Sequence, residues 1–246
     1  MDPLTASAAS GLQSRMDSFD MLANNLANAS TSGFKADGEF YSTYLAPGIA
    51  SQADPIVGDE PVVQKQWTDF SQGTILPTGN PTDLALSGNG FFSVAGPNGP
   101  LYTRNGSFHI SPQGMVVTGE GYPVQLAGGK NLQTQSADPL IVQPDGQVFQ
   151  DGIALGQLLL VDFKDRSQLT KLRSGYFQAP NSRTAPIAAS NLQVSQGKLE
   201  SSNTGPAEAA AKMISLLRHF EMLQHAIKIG TDMNRQAVEE VAKVGS

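Results

Sequence analysis

Three histidines, His109, His219 and His225, and a thin scatter of carboxylates are the residues of this 246-residue chain whose types could do chemistry. Two zinc ligands on one helix sit about three or four residues apart, so that both point to the same side. His219 and His225 are six apart and do not share a helical face. The nearest acid pairs are Asp162 with Asp165 and Asp59 with Glu60. Such pairs serve glycoside hydrolysis only where the fold sets their separation, and turns are rich in acids in any case. Arg104, beside Asn105-Gly106, could hold an anion or pair with an acid on a neighbouring strand. Gly88-Asn89-Gly90 has no helix after it and reads as a bulge or turn, not a phosphate cradle. The absence of cysteine excludes disulfides, thiol catalysis and Cys-ligated metal. No catalytic residue, metal site or cofactor is expected.

The balance of charge narrows the partners. A net charge of -6 with no cluster of Lys and Arg argues against nucleic acid, whose phosphates need clustered cations. The longest strongly apolar run, Leu158-Leu159-Leu160-Val161, falls far short of the roughly 20 residues that span a bilayer, so no membrane insertion is expected. Met1-Asp2-Pro3 lacks the basic start and apolar stretch of a cleaved secretory signal, as in a cytosolic protein or one exported uncleaved. A hydrophobic fraction of 39% implies that part of the chain has no core of its own.

Helical periodicity marks both ends of the chain. Leu4, Ala8, Leu12, Met16, Phe19, Ala23 and Leu26 recur at spacings of three and four, which makes a narrow apolar stripe. Asn28, Ser30, Thr31 and Ser32 then favour caps and turns, and Gly33 can take the left-handed conformation that ends a helix. Phe34 is placed to pack back on the last turn. A second stripe runs through Ala210, Met213, Leu217, Phe220, Leu223, Ile227, Met233, Ala237, Val241 and Val244 after Pro206, a good first-turn residue. Glu208 with Lys212, and Glu239 with Lys243, add acid-first pairs on the exposed face.

Between these ends the texture is extended. Ala36 to Gly73 carries Pro47, Pro55 and Pro61 with no sustained period and reads as an arm. From Gly73 short apolar runs alternate with turn signals: Asp83 to Leu86, Gly90 to Val94, Tyr102 to Arg104, Ser107 to Ile110 and Met115 to Thr118, then Gln147 to Phe149, Leu155 to Phe163, Tyr176-Phe177 and Leu192 to Val194. Asn105-Gly106 between two runs predicts a hairpin, because both residues tolerate positive φ. The expected fold class is α+β: long N- and C-terminal helices forming a coiled-coil-like terminal domain, around a central antiparallel β-rich meander or irregular barrel.

Four blocks in order carry a resemblance: Asn24 to Lys35; Gly79 to Val94; Tyr102 to Phe108; and Gly197 to Asn203 followed by Met213-Ile214 and Arg218 to Met222. Together they resemble the bacterial flagellar rod and hook protein family, and most of all its basal-body rod members of proximal or distal type. The absence of a long insertion between Lys35 and Gly73 favours the proximal type. Thr204-Gly205 departs from the family pattern, where an aliphatic residue follows Ser-Asn.

The resemblance implies an axial structural protein, exported uncleaved by the flagellar type III apparatus and polymerised with itself and other rod and hook proteins into the periplasm-spanning rod. It implies an N-terminal axial helix at 1–35, an arm at 36–73, a β-rich outer domain at 74–195, and a connector with a second axial helix at 196–246. The assembly role it implies falls on Asn25, Leu26, Asn28, Gly33, Phe34, Leu199, Glu200, Ser202, Asn203, Met213, Ile214 and Phe220, to which the apolar stripes add Leu12, Leu217 and Ile227. Thin stripes bury too little in one chain to offset the ordering cost, so both helices are expected to be mobile before assembly and to fold as they bind. The rival reading is a secreted β-rich protein that binds or cleaves glycans, which gives no reason for apolar stripes at both ends.

Overall fold

Phe91 and Phe92 are neighbours in the chain and face opposite sides of one sheet, since side chains alternate along a strand. The same holds for Leu101 with Tyr102 and for Tyr176 with Phe177. Phe91, Tyr102, Val161, Phe163 and Phe177 form a core on one face. Phe92, Val94, Leu101, Phe108 and Tyr176 belong to a larger core on the other. A sheet covered on both faces needs consecutive apolar residues, which is why these runs do not alternate with polar ones.

The computed structural model describes residues 3–44, 60–136, 138–180 and 184–244, which divide into two units. One unit holds α1 (Pro3–Ala27), a two-stranded ribbon of β1 (Asp37–Tyr44) and β2 (Glu60–Thr68), and α2 (Pro206–Val244). The other holds residues 28–36 and 68–205. Residues 45–59, the middle of the expected arm, lie outside the described set, and Asp59 with them.

The β-rich unit is built on antiparallel pairs. β3 (Ile75–Pro77), β4 (Leu84–Ser87), β5 (Phe91–Gly96) and β6 (Gly99–Thr103) come first. β7 (His109–Ile110), β8 (Val116–Val117), β9 (Ile141–Val142), β10 (Gln147–Gln150) and β11 (Ile153–Gln157) follow, then β12 (Leu160–Asp162), β13 (Thr170–Lys171), β14 (Tyr176–Gln178), β15 (Ile187–Ala188), β16 (Gln193–Gln196) and β17 (Lys198–Glu200). The main sheet runs β13-β14-β6-β5-β12-β15, while β16 pairs with β4 and β17 with β3. The last strands therefore close against the first ones of the unit.

Within the larger core Phe92 has no exposed surface and meets the Phe108 ring edge-on, with centroids 5.2 Å apart. Phe92→Ala is expected to cost about 3 to 5 kcal/mol, because a ring-sized void in a packed core collapses only in part. A urea titration followed by tyrosine fluorescence reads it, and a loss under about 1 kcal/mol would contradict this packing.

Two local expectations are corrected. Asn105-Gly106 is not a hairpin turn: β6 pairs with β5 and β14, and β7 pairs with β8. Instead Gly106 crosses β4 so closely that a Cβ there would lie 1.7 Å from the Leu84 carbonyl oxygen. The hairpin forms at Pro97-Asn98, between the paired residues Gly96 and Gly99.

The long paired helices forming a coiled-coil-like domain are corrected as well. The N-terminal helix is the shorter, 25 residues against 39, and it shares its unit with the β1–β2 ribbon. Of the described side chains on α2 only Ala209 and Leu216 are buried, while Ile214, Leu217, Met222, Ile229 and Met233 are exposed. Among the described side chains of α1 the buried ones are Ser18 and Asn25, one position away from the apolar stripe, and Met16 of that stripe is half exposed. Too little apolar surface is covered for the two helices to make a self-contained coiled coil.

Candidate assembly site

The two blocks that head the N- and C-terminal motifs meet inside the β-rich unit. Its hub is Glu200, the last residue of β17, whose side chain is fully buried. Lys35 Nζ, equally buried, donates to Glu200 Oε1 at 2.6 Å and to the Ser71 carbonyl at 2.6 Å. The Gly73 amide donates to the same Oε1 at 2.9 Å. Arg104 Nε lies 3.3 Å from Oε2, and its Nη2 donates to the Gly88 carbonyl at 2.8 Å. Burial pushes the Lys35 ammonium below the ordinary lysine range, against the pull of Glu200, and lowers Arg104 in the same way. Burying such charges is costly, and what compensates is that one carboxylate serves both cations.

Backbone and amide groups surround this hub. The Gly33 amide donates to the Glu200 carbonyl at 2.7 Å, and the Asn203 amide to the Phe34 carbonyl at 3.3 Å. Asn203 accepts from the Ala36 amide at 2.8 Å and donates to the Asp69 carbonyl at 2.8 Å. Gly33 has φ +68° and lies against the Arg104–Asn105 peptide, so it turns the chain here and does not cap α1, which ends at Ala27. Phe34 is 2% exposed, with Lys171 Nζ 4.1 Å above its ring. Thr204, where the family pattern is broken, is buried and takes a bond from its own amide to Ser202 Oγ at 3.3 Å.

The remaining motif residues lie elsewhere. Asn25, 4% exposed, binds both backbone groups of Asp37: it donates to the carbonyl at 2.7 Å and accepts from the amide at 2.9 Å. It fixes the start of β1. The Asn28 carbonyl accepts from the Thr31 amide at 3.0 Å in the turn after α1. Leu199 pairs across to Leu76, and Leu26 is half-buried. Leu12 falls on α1 where side chains lie outside the described set. Met213, Phe220 and Ile227 are half-buried on α2, and Ile214 and Leu217 are 54% and 44% exposed. A cleft of about 200 Å³ between the helices is lined by Met16, Phe19, Leu216, Leu217 and Phe220, with Arg15 and Asp20.

The residues weighed for chemistry take structural places. Asp165 accepts from the Ser167 amide at 3.0 Å and caps a short turn. Asp162 binds Arg166 through both oxygens at 2.9 Å. His109, His219 and His225 are exposed, and no group of three metal-ligating side chains occurs among the described residues. Arg104, read as a partner for a nearby acid, has Glu200 as that acid; only the distance in sequence hid the pair.

Although desolvation works against it, the Arg166 bonds and the Phe163 amide hold the Asp162 carboxyl below its ordinary range. A depressed carboxylate adds stability above its unfolded value and loses it as pH falls through the folded value. Asp162→Asn is therefore expected to flatten the acid limb of the stability profile below about pH 4, read by thermal melts across pH. An unchanged limb would contradict the pairing.

A buried clasp, together with helices that keep apolar residues outside, suits the class of structural proteins that pack against others. Comparison with known proteins agrees with that class. The profile "Flagella basal body rod protein" matches residues 6–35, "Flagellar hook protein FlgE/F/G D1 domain" matches 85–157, and "Flagellar basal body rod FlgEFG protein C-terminal" matches 195–240. The "Flagellar basal-body rod protein FlgF" of Caulobacter vibrioides is 34% identical over 230 residues, covering 92% of each chain. The "Flagellar basal-body rod protein FlgG" of Buchnera aphidicola (subsp. Baizongia pistaciae) is 30% identical, covering 95% of this chain and 97% of its own. The FlgG protein of Bacillus subtilis is 30% identical over 94% of this chain. The chain belongs to the flagellar basal-body rod protein family, and is a structural subunit of the bacterial flagellar rod.

Proposed function

We propose that this chain is a rod subunit of the proximal type, which polymerises helically with itself and with other rod and hook proteins through its terminal helices. The observation that carries the reading is α2 itself, along which Ile214, Leu217, Met222, Ile229 and Met233 are all about half exposed or more. Five large apolar side chains left exposed along one helix mark a contact site. Leu12, Leu26, Met213, Phe220 and Ile227 contribute from the same two helices. Gly33, Phe34, Leu199, Glu200 and Asn203 act one step back, by fixing the segments that lead into them. Head-to-tail contacts that do not close generate a filament. Secretion by the flagellar type III apparatus and a place in the rod across the periplasm follow from this reading, as does a structural role without catalysis.

The identity over most of the FlgF relative, and the short segment between Lys35 and Gly73, support the proximal type. Complementation tests it. Expressed in bacteria lacking the proximal-rod subunit, the chain is expected to restore basal bodies and swimming; in bacteria lacking the distal-rod subunit it is not. Rescue of the second strain alone would make it a distal subunit, and rescue of neither would overturn the proposal.

A further inference from the structure

Lys35 and Arg104 approach the two oxygens of a single carboxylate, and that carboxylate arrives on a strand far along the chain. Two buried cations on one anion leave an excess positive charge at the hub. Arg104 Nη1 is buried without a hydrogen-bond partner, so the cations have little other compensation. Asp69 draws on Lys35 from farther off, but its carboxylate is engaged by the Ser71 amide at 2.8 Å and the Ser71 hydroxyl at 2.9 Å. Asp162 draws on Arg104, yet Arg166, its own partner, repels Arg104 in return.

We propose that the β-rich unit closes at Glu200 as a coupled pair of ends. Residues 33–36 dock beside Arg104 only when β17 has already set the Glu200 carboxylate between the two cations. Without β17, docking would bring the Lys35 ammonium into a dry site already facing the Arg104 guanidinium, with only the more distant carboxylates of Asp69 and Asp162 as counter-charge. It would also leave the Gly33 and Ala36 amides without the Glu200 carbonyl and the Asn203 side chain that accept from them. The reverse holds as well, since the Asn203 amide and the Glu200 carboxylate find their partners on residues 34 and 35. The segment after α1 and the connector before α2 therefore lock or release together, and a chain whose last strand has not arrived keeps its N-terminal segment free.

Hydrogen exchange on the full-length chain tests this. In Glu200→Gln, peptides covering 31–37 and 199–204 are expected to exchange at least about tenfold faster, while those covering 116–133 in the core stay as in the native chain. Adding Lys35→Met removes one of the two repelling cations, so it is expected to restore a measurable part of the protection lost at both ends. Unchanged protection of 31–37 in Glu200→Gln would overturn the proposal, and so would a double variant more open than the single one. Should Glu200→Gln fail to fold, recovery of folded protein in the double variant supports the coupling and its absence overturns it.

Discussion

Chains carrying Ile214→Asp and Leu217→Asp are expected to be lost from purified basal bodies, with swimming abolished, while the isolated protein melts like the native chain. Both side chains are exposed, at 54% and 44%, so a carboxylate at either position stays hydrated in the free subunit. Exposed substitutions away from special features change stability by about 0.5 kcal/mol or less. In a packed polymer the same carboxylates would be buried against apolar neighbours without a partner, at a cost of several kcal/mol each, of the order of 2 to 7. Two such costs per subunit, repeated along a filament, leave incorporation at background. Immunoblots of purified basal bodies read the first effect and circular dichroism the second. Normal incorporation would place the contact surface elsewhere.

A large loss of stability from a single methyl group is expected at Gly33. A Cβ there would lie 2.3 Å from the Arg104 carbonyl carbon and 2.4 Å from the Asn105 nitrogen, and φ is +68°. Backbone cannot yield as a flexible side chain does, so Gly33→Ala combines left-handed strain with displacement of the clasp, about 3 kcal/mol or more. Gly79 supplies the comparison: φ is +74°, but a Cβ would meet nothing within 4 Å. Gly79→Ala is expected to cost only about 1 to 2 kcal/mol, the strain alone. Denaturant midpoints of the two variants separate strain from collision. Equal losses would mean that residues 33–36 do not sit against Arg104 as described.

Local signals gave away the strands and misled on the faces. Phe91-Phe92 and Tyr176-Phe177 were legible as strands because a run of large apolar side chains between turn residues has few other homes. Asn105-Gly106 was misleading because a turn-forming dipeptide is equally suited to any close backbone crossing, and here β4 was the neighbour. On α2 the stripe was placed through Ala210 and Leu217, whereas Ala209 and Leu216 are buried. Apolar residues lie around much of this helix, so periodicity alone could not tell the side turned inward from the side left bare.

By itself the sequence determined the kind of protein this is, since four motif blocks in order carry the resemblance to the family. The tertiary structure decided what the motif residues do. Lys35, Arg104 and Glu200 are far apart in the chain and each alone reads as an ordinary surface charge. They become a buried clasp only because β17 returns to pair with β3 and sets the Glu200 carboxylate against the chain's other end. Pairings between distant residues leave no periodicity or local composition to read, since their energy exists only once the intervening chain has folded.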